Sequence, residues 1–353
     1  MLDSEYFEII DNYELLEDGI AKMVGIKKAI QIADEEKDDY WRLVFRKAYI
    51  REALFDDDTL QAMLMFPEYA ALYDNYSKTF DDYPAINFLW AYKWIIESAE
   101  NFYQISYEKM IEYFEDFKNR CVENGFSLRS YYMKVAGFFE YIDIEKSKKA
   151  IKEFEKHAID DLSDCEACEL STQVYFELNY GDAQTALKLA KPILSGKKKC
   201  GEVPLTTYGY LLDYYMKQND MENASVYEKL LLKEIKNIAH LTSVSKLLKY
   251  YTYIDINKGI RIFKKYFPLD IQTKNPIDKF NFELQAYYLL KKAKKCRDKK
   301  TIQLLFDKKF PLYKENGVYQ LDELIEFFLK NVTEIAQKFD RRNKNNYFSN
   351  KIK

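Results

Sequence analysis

One pattern recurs along this 353-residue chain: a polar turn, then a helix with a small residue and a bulkier or second small one four positions on. It reads EKSKKAIKEFEKHA at 145–158, around Ala150 and Phe154, and GDAQTALKLAKPIL at 181–194, around Ala186 and Ala190. It reads NDMENASVYEKLLL at 219–232, around Ala224, and INKGIRIFKKYF at 256–267, around Gly259 and Phe263. Looser copies surround Met110 and Phe114, Ala62 and Phe66, and Ala29. The anchors Ala150, Ala186, Ala224 and Gly259 are 36, 38 and 35 residues apart, and Ala62, Met110 and Ala150 are 48 and 40 apart. A single helical hairpin cannot bury its own apolar stripe, so neighbours must stack into a continuous core. The small residue lets the two helices of a hairpin approach closely.

Only 10 Gly and 7 Pro are present, too few for many sheet turns, while the helix formers Lys, Glu, Leu and Ala abound. A period in the mid-thirties, with Gly-Asp ahead of the second helix, resembles the tetratricopeptide repeat (TPR). The expected fold is therefore all-α: a right-handed superhelical stack of degenerate TPR-like hairpins, an α-solenoid. It is expected to run over 1–340 as one domain of about seven hairpins with irregular capping helices. The stretch 341–353 reads as a basic, frayed tail.

The net charge of −3 hides an asymmetry, with 38 acidic and 20 basic residues in 1–180 against 19 and 34 in 181–353. The two halves then suit partners of opposite sign, or simply form solvated faces. The opening MLDSEYFEII lacks a basic segment followed by an apolar one, and no run approaches 18 apolar residues. A cytoplasmic protein with no membrane partner is expected. Five cysteines without an export signal do not suggest a disulfide framework.

Two of those cysteines lie in DLSDCEACEL, residues 161–170. Ser163 or Asp164 is expected to cap a helix that begins at Cys165, which places Cys165 and Cys168 on one face near the positive end of the dipole. Cys200, in SGKKKCGEVP, precedes the first helix of the next hairpin. Because first helices of successive hairpins lie side by side, all three thiols fall at one end of the stack. His157 ends the preceding second helix at that same end, so Cys165, Cys168, Cys200 and His157 compose the Cys₃His set of a structural zinc site. Asp161 or Asp164 are alternatives to His157. Two further readings stay open: small buried thiols that only pack, and a disulfide or redox pair.

FLWAYKW at 88–94, DLSDCEAC at 161–168 and GDAQTALKLAKPILSGKKKCGEVP at 181–204 together resemble bacterial TPR-type proteins of unassigned function. The matching positions are Leu89, Trp90, Tyr92, Lys93 and Trp94, then Leu162, Ser163, Asp164, Cys165 and Cys168, then Gly181, Asp182, Ala186, Pro192, Ile193, Leu194, Gly196 and Cys200. The resemblance spans about 85–265 and implies a helical-repeat fold in which the three cysteines belong to one feature. It implies no activity.

Only two histidines, His157 and His240, are present, and no phosphate-loop, dinucleotide or nucleophile-elbow motif appears. The acidic triplet 56–58 reads as a helix cap rather than a metal cluster. Trp90 and Trp94 read as core, with Lys93 turned to solvent. The chain is therefore expected to be a non-enzymatic scaffold that binds a protein or peptide on a concave face. The alternatives are a thiol sensor or redox enzyme using the three cysteines, and a nucleic-acid-associated protein using GKKK, KKAKK and RRNK in the basic half.

Overall fold

The structure, a computed structural model, describes residues 2–17, 19–55, 58–78, 83–235, 240–296 and 300–353. Residues 56 and 57 of the acidic triplet and 297–299 beyond the KKAKK run lie outside the described residues. Among the described residues the chain is helical almost throughout, as the spacing of apolar residues requires. The strands are two three-residue pieces, β1 (Thr301–Gln303) and β2 (Val318–Gln320), paired antiparallel with Ile302 opposite Tyr319. Among the described residues, no helix is long and apolar enough to cross a membrane.

The chain divides into two compact units, Met1–Ser163 with Arg342–Lys344, and Asp164–Arg341 with Asn345–Lys353. In the first unit α1 (Asp3–Glu14) packs on α2 (Ile20–Glu36), and three pairs follow: α3 (Asp39–Phe55) with α4 (Thr59–Tyr76), α5 (Ala85–Ala99) with α6 (Tyr107–Glu123), and α7 (Arg129–Glu140) with α8 (Ile144–Lys156). In the second unit α9 (Glu166–Tyr180) pairs with α10 (Ala183–Leu194), α11 (Leu205–Lys217) with α12 (Met221–Glu234), and α13 (Leu241–Ile254) with α14 (Ile256–Gln272). Helices α9, α11, α13 and α15 (Pro276–Cys296) pack successively in a row.

The repeat anchors fall on the second helix each time. Ala29, Ala62, Met110, Ala150, Ala186, Ala224 and Gly259 lie in α2, α4, α6, α8, α10, α12 and α14, and all are buried. At Gly259 a methyl would lie 2.7 Å from Leu289 Cδ1 and 3.2 Å from Tyr251 Cβ, so any side chain there forces its packed neighbours to shift. The polar turns are N-caps. The side chains of Ser106, Asp143, Asp182, Asp220 and Asp255 accept backbone N–H bonds at the starts of α6, α8, α10, α12 and α14. Each such cap contributes about 1 kcal/mol.

Polar side chains on neighbouring helices bridge positions 36 to 38 residues apart. Ser171 and Thr207, 36 residues apart, meet at 2.8 Å, and Lys249 donates to Asp213, also 36 away, at 2.9 Å. Thr242 donates to Asp278, again 36 away, and Lys217 to Asn179, 38 away. In the first unit Lys134 reaches Glu97, 37 away, at 2.7 Å.

Two expectations are corrected. Lys93 does not face solvent: it is fully buried, its Nζ 3.3 Å from the Trp90 ring centroid and donating to the Leu162 carbonyl at 2.7 Å. A lysine can be buried this way because a carbonyl and a ring face take the place of water. The tail is not frayed. Helices α16 (Leu321–Asn343) and α17 (Tyr347–Asn350) occupy it, and buried Phe348 packs on Phe280 and Phe339 at 5.3 and 4.8 Å. The Asp340 carboxylate accepts the amides of Phe348 and Ser349.

A buried acidic group sits between α14 and α15. Burial pushes the Glu283 carboxyl up to about 7, although the Lys279 ammonium 3.6 Å away opposes it. Burial and then Glu283 also raise Asp270, and burial raises Asp278 to about 6. A carboxyl whose pKa is raised by folding stabilises the native state below its unfolded value, and that stability is lost as pH rises through the folded value. Urea midpoints of the full chain should therefore fall between about pH 5 and pH 8, and Glu283→Gln should flatten that fall. A midpoint that rises over this interval contradicts the assignment.

Candidate metal centre

The segment ahead of α9 is shaped by its own polar groups and by the aromatic-lysine motif of α5. The Ser163 hydroxyl accepts the Asp160 amide at 3.0 Å and donates to the Asp160 carboxylate at 3.1 Å, closing a tight turn. Trp90 Nε1 donates to the Asp161 carbonyl, while Lys93 and the Ser130 hydroxyl both donate to the Leu162 carbonyl. LWAYKW thus contacts Asp161 and Leu162 directly within the first unit. Ser163 is consequently not the helix cap. The N-cap is Cys165, with extended backbone (φ −62, ψ 151), and Cys168 sits in the first turn.

On the other side, α10 ends at Leu194 and Gly196 turns the chain in the left-handed region (φ 74). The Lys198 amide reaches back to the Pro192 carbonyl, and the Cys200 amide bonds the Val203 carbonyl at 2.9 Å. Val203 then inserts beside Ala167 and Ile193 in a small apolar cluster, against which Cys168 and Cys200 pack. Of these apolar seats, Ile193 is among the motif positions matched in the sequence, whereas Ala167 and Val203 are not. An ion pair between Lys198 and Glu166 closes the outer edge.

The result is that the sulfurs of Cys165, Cys168 and Cys200 all lie within 4.8 Å of one another, with Cys168 and Cys200 at 3.1 Å. Cys165 is exposed, the other two are half-buried, and all three are free thiols. Burial acts to raise the Cys165 thiol. The Cys168 amide, the thiols of Cys168 and Cys200 and the Ala167 amide outweigh it, so the pKa is lowered. Cys168 is raised instead, first by burial and then by its two sulfur neighbours.

Such a set could hold a metal ion. Three thiolates in a tetrahedral zinc site, with Zn–S of about 2.3 Å, stand roughly 3.8 Å apart. That value lies between the 3.1 Å of the closest pair and the 4.8 Å limit of the triplet, so small side-chain rotations suffice. His157 belongs to the first unit, where its Nδ1 lies 2.7 Å from the Glu153 carbonyl and its ring packs 4.9 Å from that of Tyr132. A carbonyl only accepts, so Nδ1 carries the proton. Of the remaining cysteines, Cys121 is buried, with burial pushing its thiol up to about 12, and Cys296 is exposed on α15.

In metal-free protein at about pH 7.5, iodoacetamide should label Cys165 at least about tenfold faster than Cys121, because the thiolate is the nucleophile. Peptide mass spectrometry over a time course reads the order directly. Equal rates contradict the lowered Cys165 pKa.

Set against protein-family models, curated proteins and solved structures, the chain has no match.

Proposed function

We propose that this chain is a non-enzymatic helical-repeat scaffold whose hairpins stack as a TPR-like superhelix, with a structural zinc on Cys165, Cys168 and Cys200. A protein or peptide partner lies along the face of the first-helix row. The observation that carries the zinc reading is the convergence of three sulfurs from two successive hairpins within 4.8 Å. The binding reading is supported by the half-buried rings of that row. Tyr175 and Tyr210 lie 4.8 Å apart, and Lys246 sits 4.4 Å over Tyr210. Pre-formed aromatic side chains with charges between them suit groove recognition, because little rotamer freedom is lost on binding.

The zinc is closed and structural in this reading. It joins the start of α9 to the loop before α11, where the apolar cluster is only a few side chains deep. Thiolates are the soft donors that zinc prefers, and the lowered Cys165 pKa reduces the cost of deprotonation.

Elemental analysis of protein purified without chelator or a histidine tag should find about one zinc per chain. Cys168→Ser should release it and lower the melting temperature by roughly 5 °C or more, whereas Cys296→Ser should do neither. His157→Ala and Asp164→Ala, assayed alongside, identify the fourth ligand by which of them loses metal. Less than about a tenth of a zinc per chain overturns the metal reading. If the metal-free chain then forms a Cys168–Cys200 disulfide on mild oxidation, the redox reading replaces it, because the 3.1 Å contact favours that pair.

A further inference from the structure

In the second unit a groove of about 660 Å³ opens between α13 and α15. One stripe of α15 forms its floor: Asn281, Gln285, Tyr288, Lys292 and Lys295 follow at intervals of four, three, four and three, the spacing of a single helix face. Lys291 flanks that stripe, Lys249 and Tyr253 come from α13, and Lys351 from the C-terminal segment. Among the described residues, five lysines line the groove and no carboxylate does. Lys249 is paired with Asp213, but Lys292 and Lys295 have no carboxylate within ion-pair distance among the described residues. Tyr253 is 73% exposed, a large side chain left in water beside those charges.

Of the basic runs visible in the sequence, only KKAKK contributes here. Lys198 of GKKK is paired with Glu166, Arg342 of RRNK is buried, and Lys294 is paired with Asp322. Lys291, Lys292 and Lys295 are the remainder.

We propose that this groove binds single-stranded nucleic acid. The lysines track phosphates, Tyr253 supplies a stacking face for a base, and Asn281 and Gln285 offer donors and acceptors to base edges. From Asn281 to Lys295 the stripe runs roughly 21 Å along the helix, enough for several nucleotides. An acidic peptide satisfies the lysines equally well. It would lack apolar pockets for its side chains, because among the described lining residues Leu284 is the one aliphatic side chain. Duplex DNA is disfavoured because its bases are already stacked and offer no face to Tyr253. This surface goes beyond the scaffold reading and stands whether or not zinc is bound.

Fluorescence anisotropy of the full chain with labelled twelve-nucleotide oligo-dT and oligo-rU, and with a twelve-residue polyglutamate, tests it. Both oligonucleotides should bind at about 50 mM salt and weaken steeply by about 200 mM. Lys292→Glu with Lys295→Glu should weaken binding at least about tenfold and flatten the salt slope by about 1.4, at about 0.7 per phosphate contact on a single strand. Lys308→Glu with Lys309→Glu, an equal charge change outside the groove, should cost less than about threefold. Tyr253→Ala should weaken binding roughly 5- to 100-fold at unchanged salt slope, the range expected for losing one stacked base. Melting temperatures of all variants control for folding. Absent oligonucleotide binding at about 50 mM salt, tighter binding of polyglutamate, an unchanged Tyr253→Ala affinity, or equal losses in the two charge variants would each overturn the proposal.

Discussion

Ala186, Ala224 and Gly259 lie buried in the second helices of successive hairpins, and the remainder of the second unit depends on the close helix approach they permit. A larger side chain at any of them would hold the paired helices apart and open voids, and close-packed interiors tolerate voids poorly. The same sites follow an Asp N-cap by four residues each, Asp182, Asp220 and Asp255. The cap sets where the helix starts and so decides which residue arrives at the crossing. Two weak local signals, a cap and a small residue at fixed spacing, thereby set the geometry of each hairpin.

Regular spacing also explains the polar bridges. Hairpins of nearly equal length place residue i of one first helix beside about i+36 of the next, as Lys249 and Asp213 or Thr242 and Asp278 show. Each bridge removes a desolvated donor and acceptor at one stroke. The three cysteines belong to the same arrangement. Cys165 and Cys168 open one first helix, and Cys200 stands just before the next, so their meeting follows from the stacking.

Charge is distributed by burial rather than by sequence neighbourhood. Within α5, Lys93 sits in the core on a carbonyl and a Trp face while Glu97 stays exposed and pairs with Lys134. Within α15, Glu283 is buried in the first half while Lys292 and Lys295 are exposed near the end and line the groove. The same helix therefore holds a carboxyl near neutrality and a cationic rail, because its two ends face a packed interior and open solvent respectively.

Much of this was legible in the chain. Helical class, the helices around the anchor residues, the polar starts of α6, α8, α10, α12 and α14 and the convergence of Cys165, Cys168 and Cys200 all follow from apolar periodicity and spacing, which are local and survive in a single sequence. The division of the chain after Ser163, the burial of Lys93, the ordered tail around Phe348 and the groove lined by Lys249, Tyr253 and Lys351 did not. Each depends on which distant segment supplies a partner: Leu162 for Lys93, Phe280 and Phe339 for Phe348, and α13 for the stripe on α15. Periodicity says which face of a helix is buried, and only the packed chain decides what that face meets.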